Sequence, residues 1–82
     1  MAEVVLYGRR GCHLCDEARD AILALGVDGL REVDIESDER LLAAMLERIP
    51  VVEVDGAVVS ELEFDRDAFS VALRGVAEPR RC

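Results

Sequence analysis

Cys12 and Cys15 stand where the chain changes periodicity, and that junction limits the architecture more than any other feature. Before it, residues 3–7 (Glu-Val-Val-Leu-Tyr) form a short β-branched and aromatic run ending at Gly8, which reads as a buried strand. After an Arg9-Arg10-Gly11 turn, Leu14, Ala18, Ile22 and Leu25 recur at intervals of four, four and three, one apolar stripe of a helix over Cys12 to Leu25. Asp16, Glu17 and Asp20 lie off that stripe in the first turns, where the helix dipole favours carboxylates, and Gly26 supplies a stop. At i and i+3 on a first turn, two cysteines have Cα atoms about 5–6 Å apart, inside disulfide range. A strand, a turn and then CxxC opening a helix is the setting that a reversible dithiol requires.

Residues 30–35 (Leu-Arg-Glu-Val-Asp-Ile) read as a second strand. Ser37 or Asp38 can cap a following helix that places Leu41, Leu42, Met45 and Leu46 on one face. Pro50 separates that helix from the strand Val51-Val52-Glu53-Val54, and Asp55-Gly56 is a two-residue hairpin signal returning the chain through residues 57–62. Asp65 can cap a last helix, with Phe64 and Phe69 at hydrophobic-staple spacing and Phe69, Ala72 and Leu73 continuing the stripe to Gly75. The predicted order is β-α-β-α-β-β-α. The first crossover favours a right-handed parallel unit and the hairpin adds an antiparallel edge, so one mixed four-stranded sheet flanked by helices accommodates every element. That is an α/β fold of minimal thioredoxin-like type.

At 82 residues the chain has room for one domain, residues 1–82, with a core over 3–75 and a short polar tail over 76–82. Its 51% hydrophobic and 34% charged residues are globular in balance, and no apolar run approaches the roughly 20 residues that cross a bilayer. Ten basic side chains, all arginine, face 18 acidic ones, and a net charge of -8 repels phosphate backbones, which argues against nucleic acid as a partner. The three cysteines are too few for a secreted disulfide framework, and Met1-Ala2-Glu3-Val4-Val5 has no leader pattern. A monomer in the reducing cytoplasm is expected, where a single CxxC is chemical more often than structural.

Within the motif the two sulfurs differ. Cys12 lies where free backbone N–H groups converge, with Arg9 and Arg10 just before it, so its thiolate is the better stabilised and Cys15 is the natural resolving thiol. His13, when protonated, adds to that stabilisation; it reads equally as an exposed polar residue. The arginine pair makes a local positive patch able to steer an anionic substrate. Rival readings are a pair of inert buried thiols, or zinc, for which one CxxC and one histidine fall short of the four ligands of a closed site unless Cys12 is shared across a dimer. No metal is assigned. Pro50, taken locally, is a helix terminator. Cys82 is a chance terminal thiol, an intermolecular disulfide partner or a shuttle for Cys12.

The stretch from Leu6 through Cys12-His13-Leu14-Cys15 to Ala18, together with Arg48-Ile49-Pro50-Val51-Val52-Glu53-Val54-Asp55-Gly56, resembles the glutaredoxin-like small protein family of the thioredoxin superfamily over residues 3–75. The resemblance implies a nucleophilic Cys12 and a resolving Cys15. It makes Arg9 the basic residue near the thiolate and the glycine carboxylate of glutathione. Pro50 becomes a cis-proline facing the dithiol, Ile49 the residue whose backbone pairs with bound peptide or glutathione, and Tyr7 a tyrosine closing the first strand. The chain departs from that pattern where glutaredoxins hold the γ-glutamyl end of glutathione: Ser60-Glu61 and Leu62-Glu63 replace a Gly-Gly and its acidic neighbour, and Arg48 replaces a threonine. Lost glycines and added carboxylates weigh against efficient glutathione binding, and no tightly bound cofactor is expected. The expected function is thiol-disulfide oxidoreduction on a disulfide-containing protein or small thiol. The alternative is a non-catalytic adaptor that meets a basic partner through Glu53, Glu61 and Glu63.

Overall fold

The computed structural model describes residues 3–75, so Cys82 and the tail lie outside it. The elements are β1 (Val4–Gly8), α1 (His13–Ala24), β2 (Arg31–Asp34), α2 (Glu39–Met45), β3 (Val51–Val54), β4 (Ala57–Glu61) and α3 (Arg66–Gly75), with a 3-10 turn over Ile35–Ser37. The sheet order is β2-β1-β3-β4, with β1 parallel to β2, antiparallel to β3, and β3 antiparallel to β4. This is the thioredoxin-like topology read from the sequence.

Alternation along the strands sorts the core. Val4 and Leu6 stand opposite Val54 and Val52 in the β1–β3 register, so all four side chains share one face, against which Ala18 and Ile22 of α1 and Phe69 of α3 pack. The α1 stripe is only partly buried: Ala18 and Ile22 are fully buried, while Leu14 keeps 45% of its surface exposed. Leu14 lies in the first turn, outside the core cluster, and lines a surface cleft with Phe64. The α2 stripe differs more. No α2 residue is buried, and Leu46 just past its end is 44% exposed. The second strand also stops earlier than its apolar content implies. The Asp34 carboxylate accepts from the Glu36 N–H at 2.9 Å and Ser37 donates its hydroxyl to the Asp34 carbonyl at 2.6 Å, which turns buried Ile35 out of the strand. Ser37 is thereby occupied, and Asp38 caps α2 by accepting from Arg40 N–H at 2.8 Å.

The hairpin turn has the backbone that Asp-Gly supplies, with φ of 53° at Asp55 and 85° at Gly56, the two positive values of a type I′ turn. One β-bulge interrupts the β3–β4 ladder next to it, at Val52/Glu53. At the start of α3, the Asp65 carboxylate accepts from Ala68 N–H at 3.0 Å, and the rings of Phe64 and Phe69 meet with centroids 5.3 Å apart. Asp65→Ala removes that cap, and a loss of about 1 kcal/mol by urea titration is expected, with an unchanged midpoint as the contrary result.

Candidate active site

The site is assembled at one end of the two central strands, β1 and β3. Gly8 ends β1 opposite Asp34 of β2, and continuing the antiparallel register of Tyr7 with Val51 by one residue sets Pro50 opposite Gly8. Leu62, just past β4, donates its N–H to the carbonyls of Pro50 at 3.1 Å and Arg48 at 2.9 Å. The Ile49–Pro50 peptide is cis. The dithiol follows Gly8 after a tight turn, in which Cys12 N–H donates to the Arg9 carbonyl at 3.2 Å and Gly11 takes a φ of 82°.

Cys12 is the N-cap of α1, and its sulfur accepts from the Cys15 N–H at 3.2 Å. A free donor of the first helical turn is thus already aimed at the atom that carries charge as a thiolate. Cys12 and Cys15 are joined as a disulfide, with their Cα atoms 5.2 Å apart. Their environments are unequal: Cys12 is half-buried at the rim, whereas Cys15 is 6% exposed.

Cys15 owes its depth to a glycine that sequence reading treated only as a strand end. A Cβ built on Gly8 would stand 3.0 Å from both the Cβ and the Sγ of Cys15, so the sulfur lies directly against the β1 backbone. The contact with the Cys15 Cβ is the same in both redox states, but a free thiol can swing its sulfur away from an added methyl and a bridged sulfur cannot. Gly8→Ala is therefore expected to disfavour the disulfide and raise the reduction potential of the pair by about 10–30 mV, measured against dithiothreitol buffers. An unchanged potential would show that Gly8 does not set this contact.

Of the predicted stabilising residues, Arg9 and His13 are engaged by carboxylates. Arg9 forms an ion pair with Glu36 at 2.7 Å, and the His13 ring meets Glu17 one turn along the helix at 2.8 Å, the second pair largely exposed. Arg10 lines a cleft of about 430 Å³ beside Cys15 together with Arg9 and Arg19, but Asp16, Glu32 and Asp34 line the same cleft. The positive patch expected from the arginine pair is thus matched by carboxylates. Tyr7 donates its hydroxyl towards Glu53 at 3.4 Å; burial first, and the Glu53 charge second, push its pKa up, so the phenol stays a donor through the neutral range. Ile49 is half-buried, and its N–H is already given to the Met45 carbonyl at 3.1 Å.

Two features at the β4 end were missed. The buried Ser60 hydroxyl donates to the Glu63 carbonyl at 2.9 Å and accepts from Asp65 N–H at 2.9 Å, closing the loop where glutaredoxins have glycines. Leu62 takes a φ of 68°, a left-handed conformation that costs a leucine about 1–2 kcal/mol. Neither has a local sequence signature.

Arg48 and Glu61 pin the Pro50 loop to β4 through a 2.6 Å ion pair. The Arg48 hydrogen bond holds the Glu61 carboxyl below the usual carboxylate value, against an opposing contribution from partial burial, and the guanidinium charge adds to the lowering. A lowered carboxyl stabilises the fold above its unfolded pKa of about 4.3, and that stabilisation is lost as pH falls through the folded value. Arg48→Met should therefore lower Tm slightly at pH 7, by an amount that shrinks below pH about 4, as befits an exposed pair. A Tm difference independent of pH would contradict this.

A thioredoxin-type sheet carrying a bridged CxxC at the start of its first helix defines a thiol-disulfide oxidoreductase. Residues 3–74 match the family described as Glutaredoxin-like domain (DUF836), and the chain belongs to that family. Among solved structures, protein XcR50 from X. campestris is 31% identical with a TM-score of 0.75, over 93% of this chain and 99% of that one. Protein Ne2328 from Nitrosomonas europaea is 27% identical with a TM-score of 0.75, over 85% and 88% respectively. A glutaredoxin from Archaeoglobus fulgidus, at 22% identity, TM-score 0.66 and coverage of 92% and 89%, shares the fold. No curated protein matches. Among the described residues, no helix is long and apolar enough to cross a membrane.

Proposed function

We propose that this single domain reduces disulfides of proteins or small thiols in the cytoplasm by a two-step dithiol exchange. The Cys12 thiolate attacks one sulfur of the substrate disulfide. That S–S bond breaks, a mixed disulfide forms, and the departing thiolate takes a proton from water. Cys15, deprotonated in turn, attacks the Cys12 sulfur, releasing the second substrate thiolate and leaving the Cys12–Cys15 bridge. Two electrons pass from the dithiol to the substrate, and an external dithiol returns them.

The observation that carries this reading is the inequality of the sulfurs: Cys12 is reachable at a helix N-terminus and Cys15 is 6% exposed, with Cα atoms 5.2 Å apart. Arg9 and Arg10, with His13 when protonated, act on the thiolate, at a strength reduced by the carboxylates that pair with Arg9 and His13. Tyr7, Ile49 and Pro50 form the docking edge. Because the Ile49 amide is held by Met45, its carbonyl is what remains for a substrate backbone.

The test is a redox titration in glutathione buffers with alkylation and intact-mass readout. One two-electron transition that removes two alkylatable thiols is expected. A protein that forms no internal bridge, or reduces no disulfide, would overturn the reading. A glutathionyl adduct on Cys12 would add glutathione to its substrates.

A further inference from the structure

Two exposed leucines and a part-apolar cleft surround the site. Leu62 is 53% exposed although its φ of 68° is one that leucine disfavours, so the fold keeps a large side chain where glycine would sit more easily and then leaves it in solvent. Its N–H bond to the Pro50 carbonyl fixes it beside the docking edge. Leu14, two residues from Cys12, is 45% exposed. Leu14 also lines a cleft of about 400 Å³ with Ala18, Ala21 and Phe64, and the remaining walls are Glu17 and Glu63, the residue after Leu62.

The charge of this face is one-sided. Glu63 makes no ion pair among the described residues, and Glu17 meets only His13. The cleft on the Cys15 side instead sets three arginines among three carboxylates. With a chain charge of -8, an anionic disulfide meets repulsion here and a cation does not. We propose that Leu14, Leu62 and the Glu17–Glu63 cleft dock the segment of a protein disulfide in which an apolar residue and an arginine or lysine flank the reactive cysteine. This rests on the dithiol mechanism above and names its substrate class.

The experiment mixes pre-reduced full-length protein with blocked peptides, each a symmetric disulfide whose cysteine lies between leucine and arginine, leucine and glutamate, or serine and arginine, and with glutathione disulfide. Bridge formation is followed by acid quench, alkylation and intact mass, and each rate is divided by that of dithiothreitol with the same disulfide. The leucine–arginine peptide should lead the leucine–glutamate peptide by more than about tenfold at low salt and by much less at high salt, since each of the two carboxylates favours a cation about threefold in a water-like dielectric and repels an anion besides. It should lead the serine–arginine peptide by about threefold. Leu62→Gly should keep its Tm, because relief of the left-handed backbone offsets the added unfolded-state entropy, yet lose about threefold with the leucine–arginine peptide. Glu63→Arg should abolish the charge preference, because it leaves Glu17 opposed by one cation, whereas Asp28→Asn, in the exposed loop between α1 and β2, should leave it in place.

Equal rates for the arginine and glutamate peptides, an unaltered rate in Leu62→Gly, or glutathione disulfide outrunning all three peptides would overturn the docking proposal while the dithiol mechanism stands. If none of the four disulfides oxidises the pair, both fall.

Discussion

Cys12→Ser should abolish disulfide reduction, and Cys15→Ser should stop it one step later, with the protein recovered as a stable mixed disulfide. The asymmetry follows from position. Cys12 is the N-cap, at the rim, with the Cys15 N–H 3.2 Å from its sulfur, so it alone combines access with stabilisation of the thiolate. Cys15 is pressed against Gly8 and reaches little except Cys12. With serine at 15, the first exchange still occurs and nothing resolves it. Incubation with a disulfide followed by intact mass should show one adduct on Cys15→Ser and none at the motif of Cys12→Ser. An adduct trapped on Cys15 in the Cys12→Ser protein, at a comparable rate, would reverse the assigned roles.

Phe69→Ala should have the largest effect on stability. Phe69 is fully buried, closes the core between α3 and the sheet face of Val4, Leu6, Val52 and Val54, and holds Phe64 by ring contact at the mouth of α3. Truncating a buried phenylalanine costs about 3–5 kcal/mol, a large part of the 5–15 kcal/mol that small domains have. For a chain of this size that is a drop in Tm of more than about 12 °C. Calorimetry of the variant checks it. A fall of only a few degrees would mean that the α3 end of the core collapses onto the gap.

What the sequence made legible was whatever depends on local pattern. The Val-Val-Leu-Tyr run, the Asp-Gly turn, the Asp65 cap and the CxxC at a strand–helix junction each rest on residues adjacent in the chain, and each is where it was expected. The Leu14–Ala18–Ile22 stripe was correct as a face, but Leu14 stays outside the core, because periodicity shows which side of a helix is apolar and not which residues along it are covered. The α2 face also stands, with Leu41, Leu42 and Met45 half-buried and Leu46 exposed. Gly8 against Cys15, Arg9 with Glu36, and Arg48 with Glu61 join residues separated by 7 to 27 positions, and no spacing rule pairs them. Leu62 escaped notice because nothing local requires a left-handed leucine; its conformation follows from hydrogen bonds to Arg48 and Pro50 across the strand end.

The claim beneath all of this is that the fold makes one sulfur reactive and shields its partner. Iodoacetamide alkylation of the reduced protein across a pH series, read site by site by peptide mass, tests it directly. Cys12 should react much faster than Cys15 at neutral pH and reach its plateau below the pH of about 8.5 at which an ordinary cysteine is half ionised. A Cys12 that labels no faster at pH 7 than a cysteine in an unstructured peptide, or no faster than Cys15, would contradict the account.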